Sequence, residues 1–320
     1  MFERLLLLWL TLLGLMAYFW PVALGGVADP FVAADPYKAY VFAVTMLAIG
    51  SLLPRDEVRQ VAGRWPMVLG GTAVQYAAMP LLAYGFARLA GLEGGWLIGV
   101  VMVGTVPGAM ASNVLTLVAR GNVSYSVSLT TSATLLSPLV VPFLLLCILS
   151  QEVDIAFWKV CWPLLWMVVF PVITGHLLSR YLSVWQRTAK RIAPTVANLT
   201  ILWIIAGVIG VHRDKLPEMT AAVGVALLAL NLCGYLAGAA GSLAMRLPPA
   251  MRRALTLEVG MQNAGLGTVM AGKLFGDDSV AVIPPVIYTF GCMFTGTILA
   301  RLWAEFGKEP PADEEGKAGS

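Results

Sequence analysis

Three side chains that can bind ions by oxygen fall close together in the stretch EVGMQNAGLGTVM, Glu258 to Met270: the carboxylate of Glu258 and the amides of Gln262 and Asn263. The surrounding run is otherwise apolar enough to cross a bilayer, where a carboxylate costs on the order of 3 kcal/mol even on a lenient insertion scale. Gly260, Gly265 and Gly267 interrupt the same run. A helix broken there releases backbone carbonyls, and unwound carbonyls beside a carboxylate are how secondary transporters coordinate Na⁺ or H⁺. The amides add neutral oxygen acceptors, and a small hard cation prefers an all-oxygen shell. The chemistry expected of this stretch is therefore cation binding. The structural alternative is a protonated Glu258 hydrogen-bonded to neighbouring helices.

Other polar groups in apolar surroundings fit the same chemistry less specifically. In NVSYSVSLTTSATLLSP, Ser126 and Thr130 lie four residues apart and share one helical face. Their hydroxyls could ligate a cation or simply pack between helices. Gln75, in GGTAVQYAAMP, is a lone amide that must find a partner. In GTVPGAMASN, Gly104 to Asn113, Pro107 removes a backbone donor and Gly108 frees the chain, which predicts a second helix break. His176 and His212 are expected at the membrane interface rather than at a metal or catalytic centre. Cys147, Cys161, Cys233 and Cys292 have no CxxC spacing and are expected to be packing residues. Gly234, Gly238 and Gly241 read as small-residue helix packing.

The elements that must position these groups follow from composition. Of 320 residues, 58% are hydrophobic and 12% charged, with mean hydropathy +0.79, against about 25% charged in an ordinary soluble domain. This is an all-α polytopic membrane protein. A spanning helix needs about 20 mainly apolar residues, and ten windows qualify: 4–21, 38–53, 67–90, 95–119, 123–149, 157–181, 192–211, 220–244, 253–275 and 280–305. The first is read as a span, not a cleaved leader, because its basic region is Arg4 alone. On this map fifteen of the twenty-one Lys and Arg residues fall on one side, which predicts that both termini are cytoplasmic, as in a bacterial inner membrane. The two interrupted windows are the fourth and the ninth. Repeating an odd number of helices inverts the second copy, the inverted-repeat arrangement of secondary transporters, in which paired breaks mark the binding site. The expected organisation is two five-helix repeats, 1–150 and 151–305, followed by a disordered polar tail, 306–320.

PGAMASNVLTLVARGNVSYSVSLTTSATLLSPLVVP together with EVGMQNAGLGTVMA strongly resembles the bile acid:sodium symporter family, over essentially the whole chain apart from its tail. The resemblance implies a panel domain (helices one, two, six and seven), a core domain (three to five and eight to ten), and broken helices four and nine that cross near mid-membrane. It implies two Na⁺ ions. The first would take Ser112, Asn113, Ser126, Thr130 and Glu258; the second would take Gln75, Glu258 and Gln262 with the backbone carbonyls of Val259 and Met261. Substrate, a small organic anion, would sit beside the crossover and touch Asn263. Many relatives read Pro-Gly-Gly-Thr where this chain reads Pro107-Gly108-Ala109-Met110. At Met110 a thioether thus replaces a hydroxyl that could contact substrate, so the identity of the anion stays open between a bile acid and a small carboxylate such as pantoate.

The function expected is sodium-coupled import of an organic anion by alternating access, with a proton-coupled or uncoupled carrier as the alternative. An intramembrane enzyme lacks its residues here: there is no H-E-x-x-H, no pair of aspartates inside a span and no histidine placed to activate a serine. A channel needs a continuous lined pore rather than a site at two breaks. The net charge of +3 is dispersed, without the basic stripe of a nucleic-acid binder, and no obligatory protein partner is evident.

Overall fold

The computed structural model describes residues 6–23, 26–54, 63, 65–150, 152–153, 155–277 and 279–306. Among these the chain is all helical, with no strand. In chain order the helices are α1 (Leu6–Ala23), α2 (Pro30–Ala34), α3 (Lys38–Leu52), α4 (Trp65–Leu89), α5 (Gly94–Thr105), α6 (Ala111–Val118), α7 (Val123–Leu149), α8 (Phe157–Leu164), α9 (Phe170–Tyr181), α10 (Ser183–Val211), α11 (Ala221–Ala244), α12 (Pro249–Gly260), α13 (Ala264–Phe275) and α14 (Ile283–Phe306). Seven helical stretches among the described residues are long and apolar enough to cross a membrane: Pro30–Leu52, Trp65–Leu89, Val123–Leu149, Phe157–Tyr181, Ser183–Val211, Ala221–Ala244 and Val280–Phe306. α1 and α5 are shorter apolar helices.

The surface these helices present is that of a protein in lipid. Along α11, Val225, Leu228, Leu232 and Leu236 form an exposed stripe at helical spacing, while Val223, Leu227, Leu230 and Tyr235 are buried. Such a stripe has no partner in water but matches acyl chains. Inside, α3 packs against α9 and α10, and α10 against α1; α11 packs against α12 and α4, and α4 against α5 and α7. Gly238 lets α11 close on α12: a Cβ there would stand 2.8 Å from the Leu255 carbonyl oxygen and from the Thr256 Cα.

Local sequence explains most boundaries. Asp29 caps α2 by accepting from the amides of Phe31 and Val32, with Pro30 opening the helix. Asn122 caps α7 by accepting from the Tyr125 amide at 2.9 Å. α8 and α9 are joined by a π-helical segment, Leu165–Val169, between Pro163 and Pro171. Pro171 has no amide to continue the ladder, which favours a local rewinding.

Several expectations need correction or restriction. Where the seventh window opens at 192, α10 opens at Ser183, because Arg187, Lys190 and Arg191 lower the hydropathy without breaking a helix whose Ala189 and Ala193 are buried. Cys147 is exposed on α7 rather than packed, and His176 and His212 are buried within the protein. The tail residues 307–320, and Arg4, Arg55, Arg59, Arg64, Lys308 and Lys317 of the charge count, lie outside the described residues.

Candidate functional site

α5 ends at Thr105. Val106 is extended (φ −74°, ψ 157°), and the chain resumes as α6 at Ala111, so Pro107 and Gly108 lie in a non-helical segment. α12 ends at Gly260. Met261 is extended (φ −117°, ψ 103°), and α13 resumes at Ala264, capped by the Asn263 side chain, which accepts from the Leu266 amide at 3.1 Å. Gly265 therefore stands in the first turn of α13, past the non-helical residues 261–263.

The two interruptions meet. The Ala109 amide donates to the Met261 carbonyl and the Asn263 amide donates to the Pro107 carbonyl, both at 2.8 Å, which makes an antiparallel bridge between Gly108 and Gln262. Backbone groups released by each break are thus paired by the other. Gly108 is pressed against the Glu258 carboxylate, and any Cβ at 108 would overlap it.

Glu258, from the last turn of α12, is fully buried. Ser112 Oγ in α6 donates to Glu258 Oε2 at 2.5 Å, and Thr130 Oγ1 in α7 lies 2.8 Å from Oε1. Thr130 Oγ1 is also 3.1 Å from the Ser126 carbonyl oxygen and 3.4 Å from Asn113 Oδ1. Ser126 Oγ lies 3.2 Å from Thr116 Oγ1. The ion pairs found among the described residues lie elsewhere, so the carboxylate is met by hydroxyls and not by a lysine or arginine. These hydroxyls have lone pairs as well as a proton and can turn an oxygen toward a cation.

A second polar group continues from it. Gln75 Nε2 in α4 donates to Gln262 Oε1 at 3.2 Å, and Gln262 Nε2 donates to the Val259 carbonyl at 2.8 Å. The Val259 and Met261 carbonyls each accept one hydrogen bond and keep a second lone pair. Gln75 and Gln262 are buried, whereas Ala109, Met110 and Asn263 are partly exposed. Asn113 Nδ2 is 3.7 Å from Met110 Sδ. Because the Asn263 oxygen is used as the helix cap, its NH₂ end is the one that can donate to a ligand.

Thr116 joins the hydroxyl cluster although nothing in its local sequence marks it. The carbonyl of Gly260, at the end of α12, is held by Asn231 of α11 and Tyr288 of α14. Asn231, a lone amide in the apolar run ALNLCGY, carries the same signal as Gln75. Far from the crossing, Lys38 is buried and paired with Asp35 and Asp277, each at 2.7 Å.

A profile described as the sodium bile acid symporter family matches residues 39–219. A Bacillus subtilis protein, named as the uncharacterized sodium-dependent transporter YocS, is 29% identical over 282 residues, covering 88% of this chain and 87% of its own. An Arabidopsis thaliana protein, the probable sodium/metabolite cotransporter BASS1 of the chloroplast, is 30% identical over 260 residues, 81% of this chain and 65% of its own length. The human sodium/bile acid cotransporter 4 is 24% identical over 323 residues, covering 93% of this chain and 70% of its own.

Proposed function

The chain belongs to the sodium bile acid symporter family, and on that premise we propose that it imports a small organic anion coupled to Na⁺ by alternating access. The observation that carries the reading is Glu258, a fully buried carboxylate held between the hydroxyls of Ser112 and Thr130 at the crossing of two helix breaks. A carboxylate with neutral partners in a dry interior is strongly stabilised by a cation among the same oxygens.

A pair of Na⁺ ions is assigned to this crossing. One ion takes Glu258 with Ser112, Asn113, Ser126 and Thr130; Ser112 and Thr130 reach the carboxylate, and Thr130 reaches the Asn113 amide oxygen and the Ser126 carbonyl. The other takes Glu258 with Gln75, Gln262 and the carbonyls of Val259 and Met261, where the two amides are joined. Ten spans in two inverted repeats, 1–150 and 151–305, with cytoplasmic termini, follow from the charge count and from the breaks falling in the fourth and ninth windows. The mutual packing of α1, α3, α9 and α10 supports a panel, and that of α4, α5, α7, α11 and α12 a core that moves against it.

The solute sits beside the crossing, where Asn263, Ala109 and Met110 are partly exposed. The amide ends of α6 and α13 bear partial positive charge, which suits an anion. The Met110 thioether offers an apolar contact, so the anion carries an apolar portion next to its carboxylate.

The experiment is uptake of a panel of carboxylates, from bile acids to small hydroxy acids, into vesicles holding the protein, in Na⁺ medium and in choline medium. Saturable uptake of one of them in Na⁺ alone supports the reading. Uptake driven by a pH gradient without Na⁺ would instead assign Glu258 to a proton. Because ion and solute favour the same geometry, each raises the other's affinity by the same factor.

A further inference from the structure

The last carbonyls of a helix have no amide partner within it, and at the end of α12 they are shared out unevenly. The Val259 carbonyl meets Gln262 Nε2 and the Met261 carbonyl meets the Ala109 amide, both at the crossing. Between them, the Gly260 carbonyl points the other way. It accepts from Asn231 Nδ2 in α11 at 2.8 Å and from Tyr288 OH in α14 at 2.7 Å. A carbonyl oxygen has two lone pairs, so these donors saturate it.

The amide of Asn231 is itself held in that sense. Thr295 Oγ1 in α14 donates to Asn231 Oδ1 at 2.6 Å, and Tyr235 OH lies 3.2 Å from the same Thr295 oxygen. With its oxygen taken by a hydroxyl, Asn231 keeps its NH₂ end on Gly260. Asn231 and Tyr288 are both buried, where a lost partner is not replaced by water.

We propose that Asn231, Tyr288 and Thr295 are positioning residues of the cation site: by holding the Gly260 carbonyl away from the crossing they leave the carbonyls on either side of it, Val259 and Met261, aimed at the ion. This rests on the sodium reading given above. None of the three touches the ion; they act through the end of α12.

The test is Na⁺ titration of the purified protein, read as Na⁺-dependent thermal stabilisation, for wild type, Tyr288→Phe, Thr295→Val and Thr295→Ser. Loss of a group that orients a metal ligand costs about tenfold or more in metal affinity. Tyr288→Phe and Thr295→Val should therefore raise the half-saturating Na⁺ concentration about tenfold, and Thr295→Ser, which keeps the hydroxyl, should restore it. Thr295 makes no hydrogen bond to α12 and valine matches its shape, so Thr295→Val carries the test even where Tyr288→Phe does not fold. Variants that lose stability without Na⁺ yet titrate like wild type overturn the inference and leave the sodium reading intact. A folded wild type with no Na⁺ response overturns the sodium reading, and the inference with it.

Discussion

Glu258 has two oxygens and, in this fold, two hydroxyl partners, one from α6 and one from α7. That arrangement joins three helices at one carboxylate and, among the described residues, leaves its charge without a cationic side chain. If a cation balances it, Glu258→Gln keeps the shape and removes the attraction. A unit charge pair at 4 Å in an effective dielectric of 20 is worth about 4 kcal/mol, so Na⁺ affinity should fall roughly a thousandfold, by a titration that also shows the variant to be folded. Gly108 makes a different prediction. Gly108→Ala pushes a methyl into the carboxylate, an overpacking expected to cost about 1–3 kcal/mol. Uptake should be lost along with that stability, measured as a lower unfolding temperature; an alanine variant of wild-type stability would contradict the close approach.

At the scale of elements, the breaks in α5–α6 and α12–α13 supply each other's backbone partners. Their legibility in the sequence was unequal. Pro107 and Gly108 mark the first because a missing donor is visible in the residue type, and Glu258 with its glycines marks the second. Gly265 shows the limit: a glycine next to a break looks like part of it, and only the Asn263 cap decides that the helix has already restarted. The Gly260 clamp was not legible, since Asn231 and Tyr288 are brought to it by packing across chain distance and not by spacing. Lys38 was equally hidden: it opens the second window, 38–53, yet it is buried between Asp35 on its own side and Asp277 beyond α13. Removing one partner of a buried pair costs about 3–5 kcal/mol. Lys38→Met should destabilise by about that much, and Lys38→Met with Asp35→Leu should recover most of it because the stranded buried carboxylate is gone; Asp277, half-exposed, should contribute less. Equal additive losses in thermal unfolding would contradict this.

For the whole molecule, composition and hydropathy sufficed to place it in a bilayer, because a surface striped with exposed leucines such as that of α11 has no other solvent. Orientation rests on charge counting alone and has its own test. Arg187, in the second turn of α10, and Asp214, just past its end, are exposed. In a chain with its four native cysteines replaced, of which Cys147 is exposed on α7, an impermeant thiol reagent added outside intact cells should label Asp214→Cys and spare Arg187→Cys. The reverse pattern would invert the topology. The proposed coupling is tested most directly by equilibrium binding of radioactive Na⁺ to the purified protein, wild type beside Glu258→Gln, with no solute present. Saturable Na⁺ binding to the wild type that is lost in Glu258→Gln is the predicted result; no saturable binding, or equal binding by both, would contradict it.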